Sequence, residues 1–545
     1  QMDIKLEDHL GRRATLTVRD QSGRIVRWHG LITALRQTHR DETYAYYQAV
    51  LEPQLALLRL FKQSRVYLHA EAQRGGDPDL STVIRAVLEQ CGLKNERFDQ
   101  EDNADFEIRI SSQDLAYTRS NFICQFEETS LNFLQRRLEH AGVYFWFEQG
   151  EERETIVFAS SKEHQPQKVH KLVWRAGLKE TQAEQHIAVK RFEQMLQVQP
   201  KSVVLRDFSV SQPDLNLTVK ADLADQGSGD RFDALGQVET YGGHFNKEQQ
   251  GEFFAEVRSE ELQSQRNRYE GEAITLGLQS ACLVQMTQHF RSDANTRYLV
   301  LSLSHAGRQS LPRISSDEVS ESDFYHVSFV LVPETVQYRP PLRAKQPRVV
   351  GFVSALVMAE GEGEYAELNQ FGCYKVQFLF APRTSKAEQA NSAWVRMATP
   401  YAGSQHGLSM PLLKGTEVRV SFLGGNPDRP VIVSAIPNEH NPSLLNETNT
   451  SRPILRTAGQ NELEFEDRKS QQYARLFSPL KRSTLQLGAD PLNPDYPGVR
   501  MATEANIGLT SHSYIQDVVG VYKRQIGREG DIPVDPELEA RIAKA

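Results

Sequence analysis

The chain lacks any long apolar run. Hydrophobic residues make up 39% of its 545 positions, and its mean hydropathy is −0.52. The longest apolar stretches, such as 327–333, have strand length, well short of the ~18 residues that a membrane-spanning helix needs. Cysteine is scarce. Cys91, Cys124, Cys282 and Cys373 lie far apart with no C-x-x-C pair, which excludes a disulfide framework or a zinc site by spacing and predicts small buried apolar residues in a reducing compartment. Positive charge is also short: 63 Lys and Arg face 71 Asp and Glu, a net charge of −8 that argues against chain-wide binding of nucleic acid. With 34 Gly and 24 Pro, the chain is neither collagen-like nor low-complexity. No secretory leader is expected, because residues 1–7 are charged and read as a strand. The first residue is Gln, so position 1 is not taken as the native start.

Catalytic signatures are missing as well. The sequence contains no H-E-x-x-H, G-x-x-x-x-G-K-[ST] or G-x-S-x-G, so no catalytic residue, metal or cofactor is expected. Ser404 and His406 are close in sequence but read as a loop, His164 and His170 as solvated, and Glu127-Glu128 as one of many acidic pairs.

What is present is mostly strand, and the length suggests about three to five domains. In the first third, alternating residues at 14–18 and 26–32 flank a Gly23 turn and predict a hairpin. Val83, Ile84, Val87, Leu88 and Cys91 share a helical face, with Asp79 or Ser81 as cap and Gly92 as stop. A second helix starts at Ser130, carries Leu131, Leu134, Leu138 and Ala141, and ends at Gly142. It feeds a strand, 143–147, that is aromatic on both faces and so is expected to be covered on both. The middle, 165–340, is again strands, interrupted by a helix at about 247–266. That helix has an apolar stripe of Phe253, Phe254, Val257 and Leu262, and Glu252, Glu256, Arg258, Glu260 and Glu261 on a face read as solvated. Three prolines in 338–347 mark an extended connector. Five strands with Gly and Pro turns then fill 348–440 and suit a small barrel of the oligonucleotide/oligosaccharide-binding (OB) type.

That barrel resembles the core of VgrG, the spike family of bacterial type VI secretion systems, which in turn is similar to the hub and spike of tailed-phage baseplates. The resemblance is carried by Phe371-Gly372-Cys373-Tyr374-Lys375-Val376-Gln377-Phe378 and by Trp394-Val395-Arg396 through Gly403. Pro411-Leu412-Leu413-Lys414-Gly415-Thr416-Glu417-Val418 and Gly425-Asn426-Pro427-Asp428-Arg429-Pro430 complete it. Outside the barrel, 126–133, 141–147, 205–208, 268–272, 338–341 and 461–467 also fit, so the likeness runs over about 3–515. There are three departures. By the resemblance, the family's first hub strands are expected to lie outside this sequence, Leu379-Phe380-Ala381-Pro382 stands where His-Trp-Asp is common, and 34 residues follow Ser511 where a long spike is expected.

The resemblance implies a mainly β chain: a first hub region at 1–164, a second at 165–337, the linker 338–347, the OB neck 348–440, and the start of a trimeric β-helical spike at 441–530. A short tail helix at 531–545 follows, with Leu538 and Ile542 as a possible docking pair for a tip protein or effector. It implies two hub barrels per protomer and a homotrimer capping an Hcp-type tube hexamer. It further implies contacts with baseplate proteins, a PAAR-type tip or effector, and transiently a target membrane. Assembly in the bacterial cytoplasm and later injection follow from the same likeness. The alternatives are the spike of a phage tail or extracellular contractile particle, and, from another class, a spike-embedded cell-wall hydrolase.

Overall fold

The computed structural model describes residues 4–513 apart from 20–22, 43, 68–76, 95–103, 176–187, 211, 224–234, 310–323, 360–362, 382–393 and 491–496. The tail pair Leu538 and Ile542 lies outside the described residues. The chain divides into two compact units, 1–436 and 437–545.

Among the described residues, the first region carries eight strands: β1 (Arg13–Arg19), β2 (Ile25–Arg40), β3 (Ala45–Glu52), β4 (Lys62–Tyr67), β5 (Phe106–Arg109), β6 (Ile123–Thr129), β7 (Tyr144–Gln149) and β8 (Glu154–Ala159). The N-terminal segment read as a strand instead turns into a 3-10 helix at Leu6–Asp8. The hairpin expected from the Gly23 turn forms, with Leu16 opposite Trp28, and β3 extends it. One closed hub barrel is found among the described residues, in the second region. Among the described residues, the first-region strands form the sheets β1-β2-β3, β4-β6 and β5-β8-β7, with three helices between strands.

Those helices are α1 (Leu80–Gln90), α2 (Ser112–Tyr117) and α3 (Ser130–His140). Asp79 caps α1 by accepting from the Thr82 amide at 2.9 Å, a contact worth about 1 kcal/mol. The cap of α3 is Thr129, which accepts from the Asn132 amide, and not Ser130, which is already the first helical residue. Val83, Ile84, Val87 and Leu88 of α1 pack against Phe133, Leu134 and Leu138 of α3 in one core. Strand β7 is covered on both faces, as its aromatics predict: Phe145 and Phe147 lie on that core, while Tyr144 and Trp146 face a second cluster with Ala281.

In the second region, β9 (Val169–Trp174), β10 (Ala188–Leu196), β14 (Asn267–Ile274), β15 (Leu283–Thr287), β16 (Arg297–Arg308) and β17 (Phe324–Pro333) close a barrel in the order β10-β14-β17-β16-β15-β9. Its interior holds Tyr298, Val284, Met286 and Leu331. Beside it, β11 (Ser202–Asp207), β12 (Leu217–Asp222) and β13 (Gln237–Tyr241) form a sheet. Helix α4 (Glu248–Arg266) packs on that sheet through Phe253, Phe254 and Val257.

The polar face of α4 is solvated only in part: Glu252 and Glu256 are exposed, but Arg258, Glu260 and Glu261 are covered. Arg258 pairs with Glu261 at 2.6 Å, and Glu260 pairs with Arg339 at 2.6 Å. Arg339 also donates to the carbonyls of Ser160 and Gly142. The linker is therefore strapped down, and Glu139 accepts from the Arg343 and Ala344 amides at 2.8 Å each. Gly142 is where α3, α4 and the linker meet. Its φ is +69°, and a Cβ there would lie 2.5 Å from Val257 and 3.0 Å from Arg339. Gly142→Ala is expected to destabilise the chain by about 2–4 kcal/mol, from left-handed strain plus overpacking, read as a lower denaturant midpoint at unchanged slope.

The neck forms as read. Its strands β18 (Val353–Met358), β19 (Tyr374–Phe378), β20 (Trp394–Val395), β21 (Glu417–Phe422) and β22 (Pro430–Ala435) run in the order β20-β19-β18-β21-β22. The ring closes where the Ala398 amide donates to the Ile432 carbonyl and the Ile432 amide to the Arg396 carbonyl. In the second unit, β23 (Ile454–Arg456), β24 (Glu462–Glu466), β25 (Tyr473–Ser478), β26 (Ser483–Gly488) and β27 (Gly498–Ala502) make one antiparallel meander.

Candidate functional site: a three-way junction and a two-faced sheet

The residues singled out in sequence fall mostly into the small barrel. Val376, Phe378, Val395 and Val418 fill its core. Gly372 and Gly415 sit in turns at φ +70° and +81°. Trp394 is exposed, with the Lys375 ammonium over its ring, 5.0 Å from the centroid. Glu417 accepts from Ser354 at 2.9 Å. Gly403 turns a loop in which its amide donates to the His406 carbonyl, so Ser404 and His406 belong to an exposed turn. Pro411 is exposed beside it. None of these converges on a reactive group.

The Gly425–Pro430 motif does something else. Gly425 takes φ +74° and accepts from the Val349 amide, Pro427 is buried, and Pro430 opens β22. Between them, Asp428 reaches out of the barrel. One carboxylate oxygen accepts from the Cys124 amide at 2.6 Å, and the other lies 3.3 Å from Arg137 and 3.7 Å from Arg136. Arg136 in turn grips Glu128 at 2.8 Å and donates to the Cys124 carbonyl. Arg429 pairs with Asp207 at 2.7 Å, and Asp207 also accepts from the His244 and Phe245 amides. One loop of the neck thus clips both hub regions with buried charge-assisted bonds, which are the strong kind.

Burial sets the electrostatics here. It pushes the Glu128 carboxyl upward, against the pull of Arg136. It drives the Cys124 thiol well above its ordinary range, so that the thiol is inert. It lowers both His140 and His244. Sequence reasoning did not find this network, because the partners of Asp428 and Arg429 are 304 and 222 residues away.

The sheet of the second unit has two unlike faces. The register aligns Leu455, Leu463, Leu476, Leu485 and Met501 in one row across all five strands, and Phe465, Ala474, Leu487 and Val499 in the next. Four intervals of about 4.8 Å make this face about 20 Å wide. It is open: Leu476 is 56% exposed, Met501 60% and Val499 70%. The opposite face buries Glu462, Glu464 and Glu466. Arg475 bridges Glu462 and Glu464 at 2.6 and 2.8 Å, Arg456 holds Glu462 at 2.5 Å, Arg452 holds Glu466 at 3.1 Å, and the Tyr473 hydroxyl donates to Glu464.

Against known proteins, the profile of the phage tail baseplate hub family matches residues 1–311, more than half of the chain. The chain belongs to the phage tail baseplate hub family. The OB domain shared by type VI secretion systems and phage-baseplate injectors matches 374–436 of this hub chain, the neck described above. The hub chain is 29% identical over 464 residues to the type VI secretion system spike protein VgrG5 of Pseudomonas aeruginosa, covering 82% of this chain and 55% of that protein. It is 25% identical over 491 residues to the actin cross-linking toxin VgrG1 of Vibrio cholerae, covering 87% and 41%. The chain spans about half the length of the curated relatives that it matches. Among solved structures, its fold is like that of the E. coli c3393 protein, a type VI secretion component with structural similarity to T4 bacteriophage tail proteins gp27 and gp5 (TM-score 0.51, 19% identity, 80% of this chain and 89% of that one). It is also like the Francisella PdpA-VgrG complex (TM-score 0.53, 8% identity, 88% and 76%). The likeness to VgrG read from the sequence therefore holds.

Proposed function

We propose that this chain is the hub and spike base of a contractile injection machine of the type VI secretion kind, acting by puncture and not by turnover. The observation that carries this is the open apolar face of the β23–β27 sheet. An exposed patch of this kind marks an interaction surface. Three copies arranged about an axis would bury the three faces against one another and close the sheet edges, giving a stiff triangular prism with the start of a β-helical spike. The ionic face would then point outward. The hub regions would cap an Hcp-type tube hexamer within a baseplate, and a PAAR-type tip or effector would ride at the far end. Assembly would take place in the cytoplasm, with delivery by injection across a target membrane.

A phage tail or extracellular injection particle would use the same trimer. The hydrolase alternative is not supported. Only residues 436–453 separate β22 from β23, and the matching families are hub and injector parts.

A secretion assay tests the function. Deleting the gene is expected to stop release of tube protein into the medium. Wild-type chain should restore it, and Leu463→Glu should not. Release that persists after the deletion would refute the role.

A further inference from the structure

Two histidines sit at the junction loop, and one of them, His244, leaves no place on Nε2 for an added proton. His244 sits at φ +64°, with its ring Nε2 against the Asn426 side-chain amide. Asn426 Oδ1 is committed to the Asp428 amide at 3.0 Å. The NH2 group therefore faces the imidazole, and Nε2 must offer a lone pair. A proton on Nε2 would set donor against donor. Rotating the amide would relieve that only by turning NH2 onto the Asp428 N–H.

His140 stands edge-on to His244, with ring centroids 6.2 Å apart, and packs on Phe254 at 4.5 Å. Its Nε2 lies 3.2 Å from the Gly243 carbonyl. The charges that face the pair are mixed. Arg137 comes from α3, Arg258 from α4 and Arg429 from the neck, Arg119 lies across a cavity of about 20 Å³, and Asp428 and Asp207 face His244. The anions present are already engaged: Asp428 with Arg136 and Arg137, Glu128 with Arg136, Asp207 with Arg429, and Glu261 with Arg258. Added positive charge here meets like charge in a dry setting.

We propose that His140 and His244 form an acid-release latch, whose protonation frees the 426–430 loop, and with it the OB neck, from both hub regions. Burial lowers both imidazoles in the fold, whereas the unfolded value is about 6.5. Their contribution is therefore complete above about pH 6.5 and is lost as the pH falls below it. The proposal rests on this junction alone and not on the injection reading.

Cys124 reports the latch. Its thiol is fully buried, and its amide is bonded to Asp428. Cys91 and Cys282 are buried in two other cores. The full chain is treated with 4,4′-dithiodipyridine at about pH 7.5 and about pH 5, and labelled peptides are read by mass spectrometry. Cys124 labelling should rise by about tenfold or more on acidification, with Cys91 and Cys282 still protected. Asn426→Asp, which offers an oxygen acceptor to a protonated His244, should suppress the rise, as should the double variant His140→Gln, His244→Asn. Asn is chosen at 244 because it tolerates a left-handed backbone. If the double variant fails to fold, the wild type and Asn426→Asp decide. Cys124 protected at both pH values, all three thiols labelled together at acid pH, or an unchanged acid response in Asn426→Asp would each overturn the latch.

Discussion

Replacing Leu476 by Glu is expected to leave each chain folded and to abolish the proposed trimer. Leu476 lies at the centre of the middle strand of the open face, paired with Leu463 on one side and Leu485 on the other. In a single chain it is more than half exposed, so the protomer does not depend on it for its core. In the proposed prism three copies would meet along the axis. Three carboxylates would then be buried in apolar surroundings with no counter-charge, at a cost of several kcal/mol each. Circular dichroism should be unchanged, while the mass by sedimentation should fall from three protomers to one. A trimer that survives the substitution would place the subunit contact elsewhere.

The second large effect is expected at Asp428. Asp428→Asn keeps the shape and an acceptor for the Cys124 amide but removes the charge that faces Arg136 and Arg137. Removing one member of a buried ion network leaves its partners desolvated and costs about 3–5 kcal/mol, far more than a surface pair. The denaturant midpoint should drop accordingly. A loss below about 1 kcal/mol would show that the arginines find other partners or water. The same change made at Asp293, whose partner Arg291 is solvent-exposed, should be nearly silent.

Local pattern carried a good deal of this architecture. The five neck strands, α1, α3 and α4 lie within a few residues of where periodicity and turn chemistry put them, because each has a core face that repeats at a fixed interval. The barrel of the second region was legible only as strands, since closure depends on pairings such as β9 with β15 that join residues more than 100 apart. Helix α2 is only six residues long, too short for a periodic stripe. At the start of α3, Thr129 and Ser130 are both competent caps, and backbone geometry chose the first.

The larger misreading was the part of the α4 polar face that carries Arg258, Glu260 and Glu261. A run of Glu and Arg shows where a helix is polar but not what covers it, and Arg339 arrives from 79 residues away. The alternation in Glu462-Leu463-Glu464-Phe465 shows the same limit. It marks an amphipathic strand, yet in the single chain the acidic side is buried under arginines and the apolar side is open. The signature motifs identified the neck correctly, but the role of Asp428 and Arg429 as the clip between domains belongs to long-range contacts that no local pattern encodes.

The central claim is that the open face is a subunit interface. The most direct measurement is the mass of the chain in solution, by light scattering on a size-exclusion column. The account predicts three protomers per particle, held without added partner. A stable single protomer over the whole working concentration range would contradict it.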